Sequence, residues 1–271
     1  MAESTGARVV AVANQKGGVG KTTSAINLAT TLAVAGRKVL LVDLDPQANL
    51  TSGVGLKGQR GEGGTIYEAL VSELDPGMFV LPTAVPNLSL IPADRNLTGA
   101  EIELVPLAHR ERRLERVLQA LRPYFDHIFI DCPPSLGLLT LNGLVAADGV
   151  IIPLHCEYFA LEGLADLVAT LRRVRTAFNP NLDIAGVLMT MHDERTNLGQ
   201  QVARDIRSFF ADRVYTTVIP RNVRLGEAPS HGLPAVLYDV KSRGAEAYLA
   251  LGREFLAREA AGAAATQGHH G

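Results

Sequence analysis

Tryptophan is absent from this 271-residue chain, and Phe and Tyr make up only 5% of it. The apolar mass, 47% of all residues, therefore has to come from Ala, Val, Leu and Ile, which suits helices packed on a buried parallel sheet. Cysteine is almost missing too. Cys132 and Cys156 are the only two, which excludes a small disulfide scaffold and points to a reducing compartment. No window holds the 18 or more consecutive apolar residues of a membrane span, and the first residues lack the basic-then-apolar plan of a secretory signal. The expected location is cytoplasmic. Charge of one sign is also lacking: 26 Lys and Arg face 28 Asp and Glu, so any nucleic-acid contact has to come from a local patch.

What is present is an alternation of short Val/Ile/Leu runs with longer amphipathic stretches, the plan of βαβ units. Strands are expected at 8–13, 38–43, 88–91, 127–131, 149–153, 184–190 and 214–219. Helices are expected at 21–35, 110–121, 161–178, 197–210 and 245–260. Gly36 and the Asn179-Pro180 pair supply stop signals. Residues 52–64 hold six glycines and are the expected mobile loop. No linker divides the chain, so residues 1–260 are read as one domain and 261–271 as a disordered, frayed tail.

The run Asn14-Gln15-Lys16-Gly17-Gly18-Val19-Gly20-Lys21-Thr22-Thr23 follows an apolar strand and opens an amphipathic helix. That is the place for a phosphate-binding loop. Glycines let successive N–H groups face a polyphosphate, the helix N-terminus adds partial positive charge, Lys21 reaches the outer phosphates and the Thr22 hydroxyl ligates magnesium. Gln15 stands where the general pattern has glycine, and Lys16 adds a second lysine. A second strand ends in Asp43-Leu44-Asp45-Pro46, putting two carboxylates on one face toward the carboxyl edge of the sheet. A third ends in Asp131-Cys132-Pro133-Pro134, as a Walker B strand does, with Asp131 able to hold a metal through water.

These three elements resemble the deviant Walker ATPases of the ParA/MinD group. More narrowly, Glu101-Ile102-Glu103-Leu104, Leu136-Gly137-Leu138-Leu139-Thr140, Cys156-Glu157-Tyr158 and the run from Ile219-Pro220-Arg221-Asn222 to Ser230-His231-Gly232 look like chromosomal ParA, also called Soj. The likeness extends over about residues 9–256. It implies an α/β P-loop NTPase fold, a mostly parallel twisted sheet of about seven or eight strands with helices on both faces. It also implies a homodimer sandwiching two ATP molecules and their Mg2+. On this chain Lys16 would reach the partner subunit's phosphates, while Lys21, Gly17, Gly18, Val19, Gly20, Thr22 and Thr23 hold those of their own subunit. Asp45 would orient the attacking water, Thr22, Asp43 and Asp131 would surround the metal, and Pro220 and Asn222 would lie against adenine.

Members of the group differ in the surface they bind. Residues 195–243 carry eight basic side chains against four acidic ones, a local excess suited to phosphate contacts that read no sequence. The resemblance selects Arg195 and Arg224 as DNA contacts, and the local basic excess adds Arg221, Lys241 and Arg243. The C-terminal residues are Ala, Gly, Thr, Gln and His rather than a Phe/Leu/Lys amphipathic helix, which argues against a membrane partner. Cys132 and Cys156 are read as buried small apolar residues rather than cluster ligands. The function implied is a DNA-activated, nucleoid-associated ATPase that segregates chromosomes or plasmids with a ParB-type centromere-binding protein. The alternative is a positioning or regulatory ATPase of the same fold acting on a non-DNA cargo.

Overall fold

A computed structural model describes residues 6–157, 160–192 and 197–268. Seven strands form one sheet in the order β3-β4-β2-β5-β1-β6-β7. They are β1 (Arg8–Val12), β2 (Val39–Asp43), β3 (Leu81–Pro82), β4 (Leu88–Ile91), β5 (His127–Asp131), β6 (Gly149–His155) and β7 (Asp183–Thr190). All pairings are parallel except β3 on β4, which closes one edge antiparallel.

Successive residues of β1 go to opposite cores. Val9 and Ala11 join one buried cluster, and Val10 and Val12 join the other. Both faces are covered, which explains why these strands read as continuous apolar runs. The second core is roofed by α1 (Lys21–Val34), the short α2 (Asn49–Gly53) and α11 (Arg243–Gly268). The first is roofed by α3 (Ile66–Val71), α4 (Leu97–Glu103), α5 (Arg113–Leu121), α6 (Leu138–Ala146), α7 (Ala160–Ala177) and α8 (Asn197–Phe210). Two short helices, α9 (Val223–Glu227) and α10 (Ala235–Tyr238), lead into α11. Helix α11 lies close on α1 because residue 252 is glycine, where an added Cβ would come within 2.3 Å of the Thr31 methyl.

Three expectations need correction. Residues 214–219 do not form a strand. Tyr215 and Ile219 donate their N–H groups to the Val187 and Met189 carbonyls of β7, at 2.9 Å each. Between them, Thr216 and Thr217 donate theirs to the two carboxylate oxygens of Glu254 on α11, at 2.7 and 2.8 Å. A helix carboxylate thus takes donors that a regular ladder would use.

The tail expected to be disordered from residue 261 instead continues α11 to Gly268. Alanine, the strongest helix former, occupies much of that stretch, so propensity carries the helical backbone on. The glycine-rich segment at 52–64 is also tied down: Gly61 donates to the Gly64 carbonyl at 2.8 Å, and Gly63 donates to Met78 at 3.0 Å.

Candidate functional site: a phosphate cleft at the carboxyl edge of the sheet

The loop between β1 and α1 turns twice through the left-handed region, at Gly18 (φ 72°) and Gly20 (φ 84°), a conformation that favours glycine. Asn14 braces its start, donating through Nδ2 to the Pro153 carbonyl at 2.8 Å and accepting the Lys16 N–H at 2.9 Å. Thr190, at the end of β7, donates its hydroxyl to the Val19 carbonyl at 2.8 Å and fixes the far side. Above Gly17 and Gly18 the space is open. The loop is therefore held at its margins and bare at its centre, the shape a polyphosphate requires.

Lys21 opens α1 and folds back, donating from Nζ to the Lys16 carbonyl at 3.0 Å. Burial lowers its pKa, while Asp131 and Asp45 act to retain the proton. The Thr22 hydroxyl donates to Asp131 Oδ2 at 2.6 Å. Asp131 Oδ1 is buried with no hydrogen-bond partner. Burial first, and the neighbouring Asp43 charge second, push the Asp131 carboxyl well above the usual carboxylate range. A buried carboxylate oxygen without a donor, beside a threonine hydroxyl, is a donor set suited to a hard divalent cation such as magnesium.

Asp43 and Asp131 are register partners on neighbouring strands, yet they are engaged differently. Asp43 Oδ2 accepts both the N–H and the hydroxyl of Thr51, at 2.8 and 2.7 Å, and Oδ1 accepts the Asp45 N–H at 3.2 Å. Burial raises its pKa to about 6, against the opposing effect of those bonds. Its oxygens position α2 and the turn carrying Asp45, and of this pair Asp131 alone presents a buried oxygen with no protein donor. Asp45 accepts the Gln47 N–H at 2.9 Å and faces the open cleft.

Lys16 points elsewhere. Its Nζ donates to Glu157 Oε2 at 2.6 Å, and the other carboxylate oxygen meets His155 Nδ1 at 2.9 Å. The Lys16 bond holds the Glu157 carboxyl below its ordinary range. The two lysines of the loop thus have separate environments: Lys21 buried in the cleft, Lys16 half-exposed at its rim.

The cleft has a volume of about 960 Å³ and is lined by Gly17, Gly18, Lys21, Thr22, Thr23 and Asp45 on one side and by Pro220, Arg221, Asn222 and Gly226 on the other. Segments separated by 200 residues in sequence therefore share one wall-to-wall site. Asn222 caps α9 by accepting the Arg224 N–H at 2.9 Å.

Of the basic residues anticipated for DNA, Arg221, Arg224, Lys241 and Arg243 are exposed beside or within α9 and at the start of α11. Arg213 is tied to Asp183 at 2.6 Å. Arg224 is bound to Glu227 at 2.7 Å and Asp239 at 3.3 Å, and with exposed Arg221, Lys241 and Arg243 it lies toward the α9–α11 end. Arg195 lies outside the described residues. Cys132 and Cys156 are free thiols, both buried, and burial raises both pKa values.

Sequence reasoning missed Thr51, Thr190 and Glu157. Thr190 carried a signal, a polar residue ending an apolar strand at the ligand edge of the sheet. Thr51 carried none, and Glu157, though it stands in the Cys156-Glu157-Tyr158 stretch of the resemblance, has a partner 141 residues away that only the fold selects.

A glycine loop opening a helix at the carboxyl edge of a parallel sheet, with a buried lysine and a Walker B aspartate, defines a P-loop ATPase. Residues 7–184 match the family described as AAA domain. The chain is 55% identical over 250 residues to the sporulation initiation inhibitor protein Soj of Bacillus subtilis, covering 92% of this chain and 98% of that protein. It is 53% identical over 252 residues to the chromosome partitioning protein ParA of Myxococcus xanthus, covering 93% and 89%. Among solved structures, cobyrinic acid a,c-diamide synthase from Mycobacterium smegmatis with bound ADP and magnesium superposes with a TM-score of 0.81 at 38% identity, covering 94% of this chain and 96% of that one. The chain belongs to the ParA/Soj family of deviant Walker A ATPases.

Proposed function

We propose that this chain is a partition ATPase that binds Mg-ATP in the cleft, dimerises around it, holds nonspecific duplex DNA in that state and works with a ParB-type centromere-binding protein. The observation that carries the proposal is the division of labour between the two loop lysines. Lys21 sits within its own cleft, whereas Lys16 stands at the rim on Glu157, beside open space over Gly17 and Gly18. A rim lysine is placed to serve a second subunit docked face to face, as an arginine finger serves other P-loop enzymes.

In this reading the backbone N–H groups from Gly17 to Thr22 and the Lys21 ammonium bind the phosphates. Thr22 and Asp131 would hold magnesium, whose chemistry is to neutralise charge developing on the transferred phosphoryl group. Asp45 orients the attacking water from the cleft wall. Pro220 and Asn222 flank the base. Asp43 acts from behind, fixing through Thr51 and the Asp45 N–H the turn on which Asp45 stands. Hydrolysis thereby depends on a second subunit, and with it the affinity for DNA. The identities of 50% and above to proteins named Soj or ParA favour partition over the positioning of a non-DNA cargo. Arginines and lysines around α9 and the start of α11 are the proposed DNA contacts, with Arg224 central.

The test is retention on nonspecific duplex DNA with ATP, ADP or no nucleotide at two salt concentrations. Retention confined to ATP and weakened by salt is expected, with Arg224→Glu losing about tenfold or more in affinity while still dimerising. Equal retention in all nucleotide states would defeat the proposal. ATP-dependent dimers that ignore DNA would move the function to a non-DNA cargo.

A further inference from the structure

At the opposite end of β7 from Thr190, a cavity of about 280 Å³ opens between α7, α8 and the start of the strand. Its floor is apolar: Val168 and Leu171 from α7, Leu182 before β7, and Phe209 and Phe210 from the end of α8. Phe209 is 71% exposed and sits edge-on to Phe210, with ring centroids 4.9 Å apart. The rim is cationic. Arg172 and Arg175 follow one another on the α7 face that carries Val168 and Leu171, and Arg213 closes the other side. Asp183 is the lining's carboxylate, and it is shared, with Arg213 at 2.6 Å and Arg175 at 3.9 Å. Three guanidinium groups therefore surround an apolar hole that contains one carboxylate.

We propose that this cavity docks an acidic amphipathic helix of a partner protein. The volume lies at the lower end of small-molecule sites, roughly 300–1,000 Å³, and suits one or two apolar side chains inserted from a surface. Arginines beside an exposed aromatic are the side chains that anchor protein interfaces. The net positive rim selects carboxylates flanking the inserted residues, by charge complementarity. Duplex DNA would use the arginines and leave the apolar floor idle, since its contacts go mainly to phosphates. Because β7 has eight residues, its two ends are about 23 Å apart at roughly 3.3 Å per residue. The docking surface is thus separate from the phosphate cleft, with which it shares no lining residue.

The experiment is selection of a displayed random 16-residue peptide library on the full chain, with the Arg172→Glu/Arg175→Glu double variant as counter-selector. Enriched peptides are then measured by fluorescence anisotropy. The expected winners carry net negative charge with apolar residues at helical spacing. They lose about tenfold or more in affinity for the double variant and for Phe209→Ser, two disturbances of exposed side chains that leave basal ATP hydrolysis unchanged. Winners without acidic bias, or binding the double variant equally well, would overturn the proposal. So would a double variant whose principal loss is affinity for duplex DNA, which would make the rim a nucleic-acid contact.

Discussion

At the amino ends of the strands, Arg122 grips Asp148 through two bonds of 3.0 and 2.9 Å, and Asp148 also accepts the Val9 N–H at 2.8 Å. Beside it, Glu259 of α11 takes Arg8 and His127, each at 2.9 Å. At the carboxyl ends of the same strands, Asp43 and Asp131 are buried next to one another, Lys21 is partly desolvated, and Asp131 Oδ1 has no donor. The difference shows in the direction of the pKa shifts. Asp43 and Asp131 are pushed up, chiefly by burial, whereas bonds from His127 and Arg8 hold Glu259 below its usual range despite burial. One end of the sheet stabilises the fold. A buried atom without a partner occurs at both ends, since His127 Nδ1 has none either, but only the carboxyl end gathers buried carboxylates raised in pKa beside a desolvated lysine, a cluster that a cation and a polyphosphate are suited to satisfy.

The sharpest way to test that division is to remove a carboxylate that should matter to chemistry and little to folding. Asp45 accepts a single local bond, from the Gln47 N–H, and is partly exposed on the cleft wall. Asp45→Ala should reduce ATP hydrolysis by about 100-fold or more while leaving nucleotide binding and the thermal midpoint nearly unchanged. Phosphate release and nucleotide titration, run side by side, decide this. Normal turnover would remove Asp45 from the water-orienting role.

A smaller but more telling effect is expected at Asp131. Its pKa is raised in the folded chain, so its contribution to stability is present below the unfolded value near 3.8 and is lost as pH rises through the folded pKa. Asp43 behaves alike, with its loss centred between about 4 and 6. In the absence of nucleotide, Asp131→Asn should therefore stabilise the chain more at neutral than at acid pH, because the amide carries no charge into the buried site. It should at the same time weaken magnesium-dependent nucleotide binding. Denaturant melts at pH 4.5 and 7.5 would show the larger gain at the higher pH. A variant less stable at pH 7.5 would mean that the orphaned oxygen is not a cost to the fold.

How far these contrasts were legible beforehand depends on how local each cause is. The strands at 88–91 and 127–131 were read to the residue, because each is a short apolar run buried on both faces. That Lys21, Thr22 and Asp131 lie together follows from the sequence, because strand, loop and helix bring the start of α1 to the carboxyl end of β5 by chain geometry alone. Residues 214–219 misled because they carry the composition of a strand, while Glu254, some 37 residues further on, takes two of their donors. Helix α6 was passed over for a related reason. Its residues from Leu139 to Ala146 are mostly buried, so it lacks the polar face that makes a helix periodic. The tie between Lys16 and Glu157 spans 141 residues, and no local pattern signals it.

The mildest break is at the paired end, where Glu259→Gln keeps the shape and removes the charge. Glu259 binds Arg8 and His127 from one partly buried carboxylate, so both partners lose charge assistance while the glutamine oxygen still accepts a bond. The expected cost is about 1 kcal/mol at pH 7, typical of a partly exposed pair. Because the Glu259 pKa is lowered in the folded chain, its contribution is present above the unfolded value and fades as pH falls through the folded one. Wild type and Glu259→Gln should thus differ at pH 7 and converge toward pH 3, the reverse of the pattern at Asp131. ATP turnover should stay within about twofold of wild type, since the pair is at the far ends of β1 and β5 from the cleft. A larger loss of turnover would mean that the two ends of the sheet are coupled through α11, whose Tyr248 hydroxyl meets Ser24 of α1 at 3.0 Å.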